Sequence, residues 1–370
     1  MSKDWTEEED NQLKELIGKD LTIEQISDVM HRSYKSVQHR KSKIIQEEKT
    51  TEENGVKINN KEKIELIQVL GKEIVKEFQP LKLFEKNPIL KCGGKKEEYS
   101  ILDISDVHVG MKNEIYDTDL KKQVVTYNEK IFLEEMLILK KAVFDIHGIL
   151  SNSYQLRELT INVMGDIITN DRIFPEQPLE IEYTVGKQIW KAIPIFAEFF
   201  NSLLAIYDKI NVVCIVGNHG RSMPNFQNEP VENSFEYFIY KTWEKQFENS
   251  KRIKIIVPET RRYIYNIYGW RHLVEHGDAF RGTSATALER QIEQLYVNMG
   301  GFDVFHMGHV HKCKEVEVTD KVICKINGSW IEKDSWAFKC FKTYSLPKQH
   351  FCGCNERRPE TWSYKLDLRV

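Results

Sequence analysis

Apolar residues along this chain follow a helical spacing near its start and a strand-like pattern further on. Residues 1–45 predict three short helices, because their apolar positions recur three or four residues apart. From about residue 99 onward, short apolar runs alternate with helical stretches at 129–147, 181–204 and 284–299. Strands that alternate with helices in this way predict an α/β fold, in which sheets are flanked by helices.

Eight of the short apolar runs are predicted strands. Their sequences are YSILDIS, LTINVMG, NVVCIVG, IKIIV, RRYIYNIYG, RHLVEHG, DVFHMGH and VICKING. Polar clusters follow five of these runs, at residues 106–108, 165–166, 217–221, 276–278 and 308–311. Because open α/β sheets bind ligands beyond the carboxyl ends of their strands, clusters that are distant in the chain can meet in one crevice.

The residue types in these clusters are those of a centre with two divalent metal ions. Imidazole and carboxylate groups suit zinc, iron or manganese, and the clusters contain no cysteine. A spacing of two residues, as in Asp106/His108 and His309/His311, directs both side chains to one face of an extended segment. Each motif alone is weak, since Asn-His-Gly also fits a turn and single histidines are often surface or core groups. Their joint occurrence after predicted strands favours the metal site.

The ordered set DxH, GD, GNH, HGD and GHxH, spread over residues 99–370, resembles the calcineurin-like metallophosphoesterase superfamily. The stretches GNHGR, YGWRHLVEHGD and NGSW are most similar to phage and archaeal members related to the catalytic subunits of repair nucleases. The resemblance implies a four-layer αββα sandwich and two divalent ions, with manganese first and iron, zinc, nickel or magnesium as alternatives.

The resemblance also implies a role for each matching residue. One ion would be bound by Asp106, His108 and His311, and the other by Asn218, His276 and His309. Asp166 would bridge the two ions, and His219 would be the general acid for the leaving oxygen.

The chain departs from the family pattern after GNH, where the usual acid is replaced by Gly220. The acid that would orient His219 is therefore missing from its usual place, and Asp171 or Asp278 could substitute. Arg221 follows directly and can bind phosphate through two parallel hydrogen bonds.

Residues 1–48 resemble a Myb/SANT-like helix-turn-helix domain, through the segments DWTEEEDNQLKELI and RSYKSVQHR. The third helix of this fold enters the major groove of DNA. Residues 32–43 contain five Lys or Arg residues and no acid. The resemblance implies DNA contacts by Arg32, Lys35, Ser36, His39, Arg40 and Lys43. A solvated basic helix and a protein-docking domain are the alternatives, and only Trp5 remains of the family's three spaced tryptophans.

Residues 49–98 are a predicted linker that carries one amphipathic helix at 61–78. The apolar stripe of this helix needs a partner, which is either the catalytic domain at 99–370 or a second copy of the chain in a homodimer. Near the carboxyl terminus, Cys340, His350, Cys352 and Cys354 match no common zinc-ligand spacing, so we predict free thiols there.

Composition narrows the functional class. The chain has 370 residues, a formal net charge of −3 and 41% hydrophobic residues, so nucleic-acid binding requires a local basic patch. No apolar run approaches the roughly 18 residues of a membrane span, and the start is unlike a signal peptide. We therefore expect a cytoplasmic protein of a bacterial, archaeal or phage-infected cell, without a membrane partner.

The expected function is that of a di-metal phosphoesterase, a DNA nuclease targeted by its amino-terminal domain. Two alternatives remain at this point. One is a phosphatase acting on a nucleotide, a phosphoprotein or a small phosphoester, and the other is a DNA-associated regulatory or interaction protein.

Overall fold

The computed structural model describes most of the chain, which divides into two compact units, residues 1–63 and 64–370. The described residues are 5–17, 22–52, 65, 68–69, 71–73, 75–76, 78, 81 and 96–369, the last range without 176, 225–228, 281–284, 319, 335–337, 339–343 and 345. Within these residues, no helix is both long enough and apolar enough to cross a membrane.

In the first unit, the described residues form three helices: α1 (Glu7–Ile17), α2 (Ile23–Val29) and α3 (Tyr34–Glu52). Helix α2 begins at a capping box, in which Thr22 and Gln25 each accept a hydrogen bond from the backbone N–H of the other. Each helix contributes one fully buried apolar side chain to a small core, which consists of Leu13, Ile26 and Val37. This unit has its own core and its own helix caps.

The second unit contains the strands and the remaining helices of the described chain. The strands are β1 (Lys96–Ile104), β2 (Asn113–Asp117), β3 (Lys122–Tyr127), β4 (Tyr154–Val163), β5 (Lys209–Cys214), β6 (Ile253–Ile256), β7 (Arg262–Ile267), β8 (Trp270–Glu275), β9 (Val304–Met307), β10 (Lys314–Val318), β11 (Val322–Ile326), β12 (Lys348–Asn355) and β13 (Arg358–Asp367). The helices are α4 (Glu129–Leu150), α5 (Val185–Leu203), α6 (Phe235–Gln246) and α7 (Ala285–Asn298).

Two sheets form the centre of this unit. The first has the order β13-β12-β1-β4-β5-β6, in which β1, β4, β5 and β6 are parallel. The second has the order β10-β11-β9-β8-β7, in which β11, β9 and β8 are parallel. Strands β2 and β3 form a separate antiparallel hairpin. The five polar clusters follow β1, β4, β5, β8 and β9, which all belong to the parallel parts of the two sheets.

Helices cover the outer face of each sheet. Helices α4, α5 and α6 bury large aromatic side chains against the first sheet, among them Phe132, Phe196 and Trp243. Helix α7 packs against the second sheet through Leu288 and Ile292. The inner faces meet through small apolar clusters that combine residues of both sheets. The described layers are therefore helices, sheet, sheet and helix, and the expected mixed α/β class is present.

The structure differs from the sequence prediction in several elements. The hairpin β2–β3, the strands β10, β12 and β13, and the helix α6 were not predicted. In the predicted linker helix, Gln68 donates a hydrogen bond to Asn233 (3.0 Å), and the ring of Phe78 lies 5.1 Å from that of Trp190. This part of the linker therefore contacts the α/β unit, the first of the two expected partners. The apolar positions 64, 67, 70 and 74 lie outside the described residues.

Candidate metal centre

Five polar clusters begin where parallel strands end. In the first sheet, Asp106 follows β1, Asp166 follows β4 and Asn218 follows β5. In the second sheet, His276 follows β8 and His309 follows β9. Because these strands are neighbours within their sheets, their carboxyl ends lie side by side. The topology brings together residues that are up to 205 positions apart in the chain, from Asp106 to His311.

The backbone turns sharply at the predicted ligands. Five of them have left-handed backbone angles, with φ between +52° and +67°: Asp106, His108, Asp166, His309 and His311. This conformation costs a residue with a side chain roughly 1–2 kcal/mol. Backbone hydrogen bonds between the turns support it, from Asp106 N to Gly165 O (3.1 Å) and from His108 N to Asp166 O (2.9 Å). Such strain, held by the surrounding structure, is typical of functional sites.

One group of ligand atoms comes from Asp106, His108 and His311, which are all buried. Each residue offers one candidate ligand atom, and these three atoms lie within 4.8 Å of one another. The Nε2 atoms of His108 and His311 are 3.2 Å apart, and His311 Nε2 lies 3.4 Å from Asp106 Oδ1. The first predicted ion therefore has its three proposed ligands side by side.

A second group consists of Asp166, His276 and His309, with Asn218 beside it. His276 Nε2 lies 3.1 Å from Asp166 Oδ2 and 3.0 Å from Asn218 Oδ1. Its other nitrogen, Nδ1, donates to the carbonyl oxygen of Met164 at 2.7 Å. Asp166 also belongs to a group with His108 and His219, so its carboxylate links residues of the first ligand group to those of the second.

The donor set fits a pair of divalent cations. When Nδ1 of His276 carries the proton, its Nε2 faces two oxygen acceptors with no hydrogen to share. His108 Nδ1 is buried and has no hydrogen-bond partner among the described residues, and buried Asp166 Oδ2 becomes an unpartnered acceptor when His276 Nε2 carries no hydrogen. Buried acceptors without partners are costly, and a bound cation would satisfy them.

The charges around the site favour a cation as well. Burial alone would lower the pKa of His276, but the neighbouring carboxylate of Asp166 raises it well above its usual range. The pKa of His311 is raised to about 10, because Asp334 and Asp106 outweigh the effect of burial. The field that attracts a proton to these imidazoles also attracts a metal ion, so the two compete.

His219 lies at the edge of both groups. Its backbone N–H donates to Asp166 Oδ1 (2.7 Å), and its ring lies 4.6 Å from that of His108. Its Nδ1 donates to the carbonyl oxygen of Thr169 at 2.7 Å. That bond leaves Nε2 as the nitrogen that can exchange a proton with a substrate. Burial lowers the pKa of His219, and the charge of Asp166 only partly offsets this.

The orientation of His219 differs from the sequence prediction. We expected Asp171 or Asp278 to hold the imidazole. Instead, Asp171 accepts hydrogen bonds from Val185 N (2.9 Å) and Arg172 Nε (2.7 Å). The charge of Asp278 acts on His276. A backbone carbonyl, that of Thr169, takes the orienting role.

Arg221 is held in the same loop. Its Nε donates to the carbonyl oxygen of Asn218 (2.7 Å), and the side chain of Asn170 donates to the carbonyl oxygens of His219 and Arg221. Asn170, itself buried with φ +72°, therefore fixes the loop that carries His219 and Arg221.

Two buried carboxylates of the site were missed by sequence reasoning. Asp334 Oδ2 forms a short hydrogen bond with His311 Nδ1, an arrangement that fixes the tautomer of a metal-binding histidine. Glu236, near the start of α6, accepts from Ile167 N (2.5 Å) and Gly217 N (2.6 Å). Burial and the charge of Asp166 raise the pKa of Glu236 to about 8. Neither residue belongs to a motif that would have revealed it.

The predicted DNA-binding residues fall into two classes. Arg32 pairs with Glu9 (2.8 Å) and lies over the ring of Trp5, and Arg40 pairs with Asp10 on α1. These two arginines connect helices within the first unit. The remaining side chains reach solvent on α3, where Lys35, His39 and Lys43 are exposed and Ser36 is half-buried.

The cysteine cluster forms no metal site in the described part of the chain. Cys352 and Cys354 are buried on β12 and form no disulfide with a described residue. His350 Nε2 lies 3.1 Å and 3.2 Å from the carbonyl oxygens of Lys314 and Ile326. Cys340 lies outside the described residues.

Comparison with known proteins gives only distant similarities. The sequence matches no protein-family model and no curated protein. Among solved structures, it is similar to Vps29 of Entamoeba histolytica in complex with zinc (12% identity, 73% of this chain and 99% of that chain, TM-score 0.30). It is also similar to a predicted phosphoesterase of Streptococcus pneumoniae TIGR4 (11% identity, 73% of this chain and 98% of that chain, TM-score 0.29). A third similar structure is the 5'-nucleotidase of Candida albicans SC5314 (11% identity, 79% of this chain and 54% of that chain, TM-score 0.34). At such scores the similarities carry no argument, and the functional interpretation depends on the site itself.

Proposed function

We propose that this protein is a metal-dependent phosphoesterase that cleaves phosphodiester bonds in DNA. The observation that carries the proposal is the position of Asp166, which belongs to two of the three overlapping groups of buried metal-ligand atoms. A single structural metal would not require ligand groups that share a carboxylate in this way. Paired ions joined by a carboxylate are suited to phosphoryl transfer.

The ligands divide between two positions. Asp106, His108 and His311 would hold one ion, and Asn218, His276 and His309 the other, with Asp166 between them. When bound, two divalent ions, manganese in our proposal, supply Lewis-acid stabilisation of the phosphoryl oxygens and an activated water. The all-nitrogen-and-oxygen donor set suits manganese, iron or zinc.

The side chains beside the ligands would handle the rest of the reaction. His219 directs Nδ1 to the Thr169 carbonyl, which leaves Nε2 to donate a proton to the leaving oxygen once that nitrogen is protonated. Arg221 carries a permanent positive charge in the same loop and would bind a phosphate oxygen.

The preference for DNA is supported by the first unit. Its exposed basic residues on α3, Lys35 and Lys43, can contact phosphates, and His39 lies between them in sequence. Contacts of this kind supply sequence-independent affinity for DNA. They would hold the nucleic acid on the protein while the metal centre of the second unit cleaves it.

A substrate panel tests this function. We expect protein loaded with manganese to cleave labelled single- or double-stranded DNA and a chromogenic phosphodiester, and Asp166→Asn to lose both activities. Glu232→Gln, which changes an exposed carboxylate, is the matched control and should retain them. Turnover of phosphomonoesters alone would overturn the nuclease function in favour of a phosphatase function. The absence of turnover of any ester by the metal-loaded protein would overturn the proposal altogether.

A further inference from the structure

Phe174 exposes an aromatic ring beside His219. The centroids of the two rings are 5.2 Å apart. The side chain of Phe174 is 44% exposed, and the His219 ring that it contacts is itself partly open to solvent. His219 therefore contacts His108 of the metal centre and also an apolar surface that is open to solvent.

The position of Phe174 is fixed by the same atoms that orient His219. Buried Gln177 accepts hydrogen bonds from Ile173 N (2.8 Å) and Phe174 N (3.2 Å) through its Oε1. Its Nε2 donates to the carbonyl oxygen of Thr169 (2.6 Å), which also accepts from His219 Nδ1. One side chain thus couples the loop of Phe174 to the imidazole.

A positive charge lies near the same ring. The guanidinium carbon of Arg221 is 6.0 Å from the centroid of Phe174. A phosphate bound by Arg221 would place its ester groups close to both Phe174 and His219. Since His219 is the residue proposed to protonate the leaving oxygen, the group attached to that oxygen would lie against the Phe174 ring.

We propose that Phe174 is a stacking platform for a nucleobase carried by the leaving group of the substrate. The inference rests on the proposed function and specifies its substrate class, namely nucleotide esters rather than phosphoesters in general. An exposed aromatic ring offers a base about the same stacking energy whatever its identity, so the platform recognises the presence of a base and not the sequence.

Three dinucleotides with chemically matched leaving groups test the platform. One carries thymine on both sugars, and the others lack the base on one sugar or on the other, so the sugar hydroxyl that leaves is the same in each. We expect manganese-loaded wild-type protein to cleave the complete dinucleotide with a kcat/KM about 5- to 100-fold higher than one of the abasic forms. Phe174→Leu should abolish this preference and leave the rate on that abasic form unchanged, whereas Phe174→Trp should retain the preference.

Leu179→Ala is the control for the loop, because Leu179 is 85% exposed in the same segment. It should keep the preference for the base. An equal loss on the complete and abasic dinucleotides in Phe174→Leu would overturn the proposal and make Phe174 a support for His219. Equal cleavage of all forms by the wild type would overturn it as well.

Failure of the proposed function gives a different result. In that case neither the dinucleotides nor a chromogenic diester would be cleaved. Calorimetric titration of the same dinucleotides into the metal-loaded protein then tests, without any turnover, whether Phe174 binds a base. A Kd that is lower for the complete dinucleotide in the wild type, but not in Phe174→Leu, supports it, and equal Kd values overturn it.

Discussion

The side chain of Glu236 occupies the space that a side chain at Gly220 would need. A Cβ atom at position 220 would lie 2.7 Å from Glu236 Cγ and 2.5 Å from Ser234 Oγ. From this position the Glu236 carboxylate bonds to the backbone at Ile167 and Gly217, next to Asp166 and Asn218. The absence of a side chain at Gly220, directly after the GNH motif, therefore leaves the space that the buried Glu236 side chain of α6 fills.

Glu236→Gln should weaken the folded protein and the metal centre together. The amide can accept only one of the two backbone hydrogen bonds, so one buried N–H loses its partner at a cost of about 1–3 kcal/mol. Urea unfolding of the metal-free protein measures this loss, and calorimetric titration with Mn²⁺ measures the affinity. Glu232→Gln, at an exposed position of the same segment, should change neither. Unchanged stability in Glu236→Gln would show that this carboxylate does not support the two turns.

Asp334→Asn should lower metal affinity by about 10- to 100-fold, the usual effect of removing the carboxylate behind a metal-binding histidine. Asp103→Asn is the comparison, since Asp103 is also buried and accepts from a histidine, His306 (2.8 Å), and neither residue belongs to a metal-ligand group. That substitution should reduce folding stability while metal stoichiometry stays at the wild-type value. Equal effects of the two substitutions on Mn²⁺ binding would argue against the role of Asp334.

His219→Ala should retain its metal ions and lose about 10²–10⁴-fold in turnover of a nucleotide ester. The loss should be much smaller for a nitrophenyl ester, whose leaving group needs no proton. Losses of equal size on both esters would indicate that His219 positions the substrate instead.

The pKa of His219 also predicts how the turnover of a nucleotide ester changes with pH. A general acid acts in its protonated form, and burial lowers the pKa of His219 below its ordinary value. The rate on a nucleotide ester should therefore fall as the pH rises through a pKa below about 6.5. This limb should be absent from the pH profile of His219→Ala, and its persistence there would assign it to another group.

Lys35→Ala/Lys43→Ala should reduce the salt dependence of DNA binding. Each lost phosphate contact should lower the log–log slope by about 0.9. Arg40→Ala breaks the ion pair with Asp10 and should instead lower the stability of the first unit. Cleavage of a chromogenic diester should be unchanged in all these variants. An unaltered salt slope in the double lysine variant would favour a protein-docking role for α3.

The grouping of the predicted metal ligands could be anticipated from sequence, because the cluster that contains each of them follows an apolar strand. Strand runs such as LTINVMG are long enough to be recognised, and the order of parallel strands then brings their ends together. The left-handed backbone conformation of Asp106 and His108 could not be predicted from the sequence, since neither residue is a glycine.

Other parts of the site depend on contacts that only the packed chain creates. Glu236 lies in the segment SFEYFIYKTW, where an acid near a helix start usually faces solvent. Asp334 follows no recognisable strand motif. The pairing of Arg32 and Arg40 with acids of α1 likewise requires the helices to be assembled. The sequence of the basic segment therefore suggested DNA contacts by two arginines that the structure shows in ion pairs within the first unit.

Metal content per chain tests the central claim most directly. Protein saturated with Mn²⁺ and freed of excess metal should contain two ions per chain in the wild type, about one in Asp106→Ala, and none in Asp166→Ala. The shared position of Asp166 is the reason for the complete loss. Two ions retained by Asp166→Ala, or none bound by the wild type, would contradict the account.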